Sequence, residues 1–78
     1  MTVLTDEVLT NNYMRLTLDG YVKTQHGNVA VLHRLNDNTF IVVNGITINE
    51  DNTCSWNFAY EYDIEDGSDA MALMMSKA

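Results

Sequence analysis

From Tyr13 to Tyr62 apolar and polar residues largely alternate, and the alternation is cut at short intervals by glycine, asparagine and aspartate. Period-two alternation marks half-buried strands, because successive side chains of a strand point to opposite faces. Asn, Asp and Gly at the cuts tolerate the positive φ of tight turns. A chain patterned this way folds as strands joined by hairpins.

Met14, Leu16 and Leu18 alternate with Tyr13, Arg15 and Thr17. Asp19-Gly20 follows and reads as a type I′ hairpin turn into Tyr21–Thr24. Gln25-His26-Gly27-Asn28 is a second turn. The run from Asn28 to Leu35 carries Val29, Val31, His33 and Leu35 on one face and Ala30, Leu32 and Arg34 on the other. Asn36-Asp37-Asn38 is a third turn, and Thr39–Val43 is apolar on both faces. Asn44-Gly45 before Ile46-Thr47-Ile48 fits either a hairpin or a bulge within one long strand. After the polar turn Asn49-Glu50-Asp51-Asn52, Thr53–Tyr62 reads as a single strand. Cys54, Trp56, Phe58, Tyr60 and Tyr62 fall on one face; Ser55, Asn57, Ala59, Glu61 and Asp63 fall on the other.

At the ends the period changes. Thr5, Asp6 and Glu7 suit the start of a short helix, since a hydroxyl cap and early acids match a helix N-terminus. Ser68 reads as the N-cap of a second helix, with Asp69 in its first turn and Lys77 near its end. Met71, Met74 and Met75 share a side at i, i+3, i+4. With 78 residues, the chain buries about 60% of its unfolded surface, enough for one small core. The expected fold is α+β: one domain over residues 1–78, a small antiparallel meander of four or five strands, and a C-terminal helix packed on one face. The other face is left for water or a partner.

Chemistry is sparse. His26, His33 and Cys54 lack the spacing of a zinc site, and Cys54 has no glycine-framed elbow that would make it a nucleophile. In the acidic stretch from Asp63, Gly67 falls at position 5 and Met74 at position 12, where a calcium loop needs Gly at 6 and Glu at 12. No glycine-rich phosphate loop is present, and a chain this short offers little cleft for paired carboxylates to work in. The expectation is a protein that is not an enzyme, with no catalytic residue, no metal site and no cofactor. One cysteine forms no internal disulfide. The first residues have neither the basic nor the apolar region of a signal peptide, and no run reaches the ~20 apolar residues of a spanning helix. The expected location is a reducing compartment, most simply the cytoplasm.

Eleven acids against four bases give a formal charge of −7. That balance argues against direct contact with nucleic acid or an anionic membrane, where cationic side chains supply most non-specific affinity. It favours a basic protein surface. The charge is uneven. Residues 1–49 hold four acids and three bases, a net of −1; residues 50–78 hold seven acids and one base, a net of −6. If the chain stays extended past Tyr62, then Glu61, Asp63 and Glu65 project from one face about 6.6 Å apart. That row imitates, more sparsely, the phosphates of a nucleic-acid strand. Beside it, Tyr60 and Tyr62 are aromatic anchors of the kind found at interfaces, while Trp56 and Phe58 are assigned to a core under the methionine-rich helix.

In size, charge and absence of a catalytic motif, the chain is similar to small acidic proteins encoded by phages and mobile elements. The expected function is a non-catalytic inhibitor or regulator that binds a larger protein with a basic, nucleic-acid-handling groove. An anti-CRISPR or anti-restriction protein acting as a DNA mimic is its concrete form, in the host cytoplasm if phage-encoded. The expected binding residues are Glu50, Asp51, Tyr60, Glu61, Tyr62, Asp63, Glu65, Asp66 and Asp69. The alternative is a structural or assembly subunit, a homodimer formed through a sheet edge or face.

Overall fold

The computed structural model describes residues 8–78. Seven strands precede one helix: β1 Leu9–Asn11, β2 Met14–Thr24, β3 Gly27–Arg34, β4 Thr39–Asn44, β5 Thr47–Ile48, β6 Cys54–Ser55, β7 Phe58–Ile64 and α1 Gly67–Ser76. Five strands form an antiparallel sheet in the order β1-β2-β3-β4-β7, and β5 pairs with β6 in a separate hairpin. The fold is α+β, with the C-terminal helix packed on the sheet. The helix start read at Thr5–Glu7 lies outside the described residues.

β3 and β4 are apolar on both sides, so neither face of the sheet is left to water. Val29, Val31, Val42 and Ile64 form one cluster with Ala70 and Met74 of α1. Leu9, Leu16, Leu18, Ala30, Leu32, Ile41 and Val43 form the other, closed by Ile46 and Cys54 from the β5–β6 segment. That segment is tied down at β1: Thr10 N–H donates to Asn52 O at 2.9 Å, and Asn11 Nδ2 donates to Cys54 O at 2.8 Å. The face expected to be open is therefore covered. Burying each large aliphatic side chain contributes about 1.5–3 kcal/mol.

Four local readings are corrected. Asp19-Gly20 is not a turn. β2 runs straight through it, with a bulge where the register against β3 shifts between Leu18 and Gly20. Gly20 lacks a positive φ; its missing side chain makes room for α1, since a Cβ there would stand 2.9 Å from Met71 Sδ. The hairpin closes instead at Gln25-His26, with Gly27 at φ +112°.

Asn44-Gly45 is neither a hairpin within the sheet nor a bulge. It is the corner at which the chain leaves β4 for β5, with Gly45 at φ +75° against Asn57.

Thr53–Tyr62 is not one strand. Trp56 and Asn57 separate β6 from β7, and Asn57 N–H donates to Asn44 O at 2.9 Å. The break resets the alternation. Trp56 packs on the cluster away from the helix, Tyr60 packs on the helix side, and Phe58 is 51% exposed. The expected core of Trp56 and Phe58 under the methionines does not form.

The N-cap of α1 is Asp66, not Ser68; its carboxylate accepts from Ser68 N–H at 2.8 Å. Gly67 opens the helix beneath the Phe40 ring. Ala70, Met71, Leu73 and Met74 then face the sheet, and Met75 points outward.

Candidate functional site

The corner between β7 and α1 gathers Glu61, Tyr62, Asp63, Glu65, Asp66 and Asp69, all exposed. Its shape follows from the pairing of β7 with β4. Phe40 stands opposite Ile64, Val42 opposite Glu61 and Val43 opposite Ala59. Three residues of β7 are thus spanned by two of β4, and then two by one. Each mismatch is a bulge, which twists a strand and re-aims its side chains. The first, between Glu61 and Ile64, contains Asp63 at φ +58°, a left-handed conformation that Asp adopts at modest cost. As a result Glu61, Tyr62 and Asp63 all face outward in succession, and Ile64 returns to the core. The evenly spaced row of Glu61, Asp63 and Glu65 expected from an extended strand is replaced by a denser cluster.

The acids of this corner differ in their partners. Arg34, on β3, donates to Asp37 through Nε at 3.0 Å and Nη2 at 2.7 Å, and Nη2 also contacts Asp63. The two-pronged bond to Asp37, and secondarily that to Asp63, raises the guanidinium's affinity for its proton. Arg34, with help from Thr39, holds the Asp37 carboxyl well below the usual carboxylate range. Asp66 is similarly depressed, first by the Ser68 hydroxyl at 2.6 Å and then by the Ser68 N–H. Among the described residues the ion pairs are those of Arg34 with Asp37 and Asp63. Glu61, Glu65 and Asp69 present charge without a salt-bridged cation.

Other expected site residues lie elsewhere. Glu50 and Asp51 sit in the β5–β6 loop, which joins the β1 side of the sheet, whereas β7 forms the opposite edge. Asp51 accepts from Thr53 Oγ1 at 2.6 Å and Thr53 N–H at 3.1 Å, and these bonds lower its pKa. Tyr60 is half-buried; its hydroxyl accepts from Asn44 Nδ2 at 3.1 Å, and its ring meets the edge of Phe58. Tyr62, 48% exposed, is the aromatic side chain that the corner displays.

His33 stacks on Phe40 with ring centroids 4.7 Å apart, and His26 lies at the far end of β3. Cys54 is buried in the hairpin-side cluster, where burial pushes its thiol pKa up. Among the described residues no three His, Cys, Asp or Glu side chains are placed to hold a metal ion, and no helix is long and apolar enough to cross a membrane.

Two groupings escaped the sequence reading. The Arg34–Asp37–Asp63 triad needs β7 placed next to β4, so that Asp63 and Arg34 of β3 meet from either side of it; only its Arg34–Asp37 half, spanning one turn, is legible in the chain. At the other end of the sheet, Lys23, Thr24, Gln25, His26, Lys77 and Ala78 line an open cleft of about 620 Å³. Lys23 and Lys77 are the only lysines in the sequence, and their distance along the chain hides that both contribute to this lining. No protein-family model matches the chain, and no curated protein or solved structure matches it.

Proposed function

We propose that the protein is a non-catalytic binding module whose β7–α1 corner occupies a basic, nucleic-acid-handling groove of a larger protein. The supporting observation is the outward succession Glu61-Tyr62-Asp63, produced by two bulges and continued by exposed Glu65, Asp66 and Asp69. Bulged edges resist the addition of another strand, so a partner meets side chains here and not a row of backbone groups. An exposed tyrosine amid carboxylates offers contact area while the charges steer encounter. Glu50 and Asp51, on the far side of the sheet, fall outside this surface. An inhibitor of a CRISPR effector or a restriction enzyme is the form of partner-blocking protein this surface suits.

Self-association is disfavoured by the same features. Both sheet faces are covered, and antiparallel pairing of two β7 edges would set acids against acids, which is repulsive at cross-strand distance.

The test spares the residues that hold the fold. Glu61→Lys with Glu65→Lys leaves the Arg34–Asp63 pair and the Asp66 cap intact. It should slow association with the partner on the order of tenfold or more at low salt, whereas Glu50→Lys should leave binding unchanged. Equal binding by the double variant and the wild type refutes the proposal.

A further inference from the structure

The corner at which the chain leaves β4 combines the residue pair most open to one spontaneous reaction with a geometry that blocks it. We infer that Asn44 is a deamidation site that the native fold holds shut, so that its conversion marks chains that have opened. Asn44-Gly45 is the one Asn-Gly pair in the sequence; every other asparagine precedes a residue that bears a side chain. Deamidation begins when the backbone nitrogen of the following residue attacks the side-chain carbonyl carbon of the asparagine. Glycine leaves that approach free of a Cβ and gives the backbone the freedom to reach it. A bond forms between Gly45 N and Asn44 Cγ, and the bond from Cγ to Nδ2 breaks. Nδ2 departs as ammonia, and the proton lost from the Gly45 N–H completes it. Water then opens the resulting succinimide at either carbonyl to give aspartate or isoaspartate. The sum is amide plus water to acid plus ammonia, with no redox change and no reactant beyond solvent.

Both ends of that reaction are held in the fold. The attacking group, Gly45 N–H, donates to Asn28 O at 2.8 Å. The leaving group, Asn44 Nδ2, donates to the Tyr60 hydroxyl at 3.1 Å. Asn44 O accepts from Asn57 N–H at 2.9 Å, and Asn28 Oδ1 accepts from Ile46 N–H at 2.9 Å, so the backbone is fixed on both sides of the reacting bond. Asn44 is also buried, at 6% exposure, and its Oδ1 lies 3.2 Å from where a Cβ on Gly27 would stand. Ring closure has to wait for an opening that frees the Gly45 N–H, and bonded groups of this kind are freed by local or global unfolding. The products do not suit the place they must return to. A carboxylate at position 44 has no N–H to donate to Tyr60, and burying it costs more than burying the amide. Isoaspartate routes the backbone through the former side chain, which adds a methylene between β4 and Gly45.

Incubation of the intact protein in native buffer and in urea, at one mildly alkaline pH and one temperature, tests the site. Peptide mass spectrometry reads the change from amide to acid. Isomerisation at Asp19-Gly20 and Asp66-Gly67 leaves mass unchanged and does not interfere. Asn44 should convert on the order of tenfold faster or more in urea than in the native protein. In urea it should lead every other asparagine, and Gly45→Ala should remove that lead under conditions where the fold plays no part. The slow conversion in native buffer should follow the hydrogen-exchange rate of the Gly45 amide. Asn44→Asp, made directly, should have a lower thermal midpoint than the wild type or fail to fold. Equal rates in native buffer and urea would overturn the inference, as would conversion of Asn44 in urea no faster than that of the other asparagines. An unchanged midpoint in Asn44→Asp would contradict the misfit of the product. None of these outcomes bears on the acidic corner.

Discussion

Gly20 and Gly45 differ in what a side chain would cost. At Gly20 a Cβ would approach Met71 Sδ, Met71 Cε and Met74 Sδ, the ends of flexible side chains that can shift. Gly20→Ala should therefore cost under about 1 kcal/mol, and Gly20→Val, which must lift α1, about 1–3 kcal/mol by urea denaturation. At Gly45 the backbone is at φ +75° and a Cβ would fall 2.3 Å from Asn57 Nδ2. Gly45→Ala should cost more than Gly20→Ala, about 2 kcal/mol or above, because strain and overlap add. The acids predict a pH dependence. The pKa values of Asp37, Asp51 and Asp66 are depressed in the fold. Each thus contributes stability that is fully present above the unfolded carboxylate value, near pH 4, and is lost as pH falls through the folded value. Asp37→Asn should lower the thermal midpoint at neutral pH and approach the wild type at low pH. Parallel curves for the two proteins from pH 7 to 2 would contradict the Arg34–Asp37 linkage.

At the scale of elements, the two clusters should respond as separate cores. Met74→Ala, on the helix face, and Leu32→Ala, on the hairpin face, should each cost about 2–5 kcal/mol. Their effects should sum to within about 0.5 kcal/mol if the sheet between them insulates one from the other. Cys54 gives a kinetic readout of the hairpin face. Buried with a raised pKa, it should label with a thiol reagent at the rate at which the β5–β6 cover opens. Labelling as fast as an unfolded peptide would mean that the cover is not formed. These elements also show what was legible in the chain. β3 and its two faces were readable because alternation runs unbroken from Val29 to Arg34 and both faces are apolar. β7 was readable as a strand but not in its facing, because bulges are set by pairing with β4 and leave no mark in local periodicity. The split at Trp56-Asn57 was hidden for the same reason: alternation continues through a residue pair that belongs to neither sheet. Asp19-Gly20 misled because the pair that suits a turn also suits a bulge, and only the approach of α1 distinguishes them. Of the expected site, the acids from Glu61 to Asp69 were legible as a continuous stretch. The neutralisation of Asp63 by Arg34, and the distance of Glu50 and Asp51, required the strand order.

Taken whole, the molecule gathers a cluster of exposed carboxylates at the β7–α1 corner, at the Arg34 end of β3. A field of that kind orients an approaching basic surface and speeds encounter most at low ionic strength. If the corner fills a basic groove, raising salt from 50 to 500 mM should weaken binding steeply, and the partner's own nucleic acid should compete. The most direct measurement compares the wild type, Glu50→Lys and Glu61→Lys/Glu65→Lys as immobilised baits in host lysate at low salt, with release by salt and identification of what is bound. The account predicts one nucleic-acid-handling protein, retained by the wild type and Glu50→Lys, lost from the double variant and released at high salt. A partner that stays bound to all three baits through high salt would contradict it, as would a pure protein that sediments as a stable dimer and captures nothing.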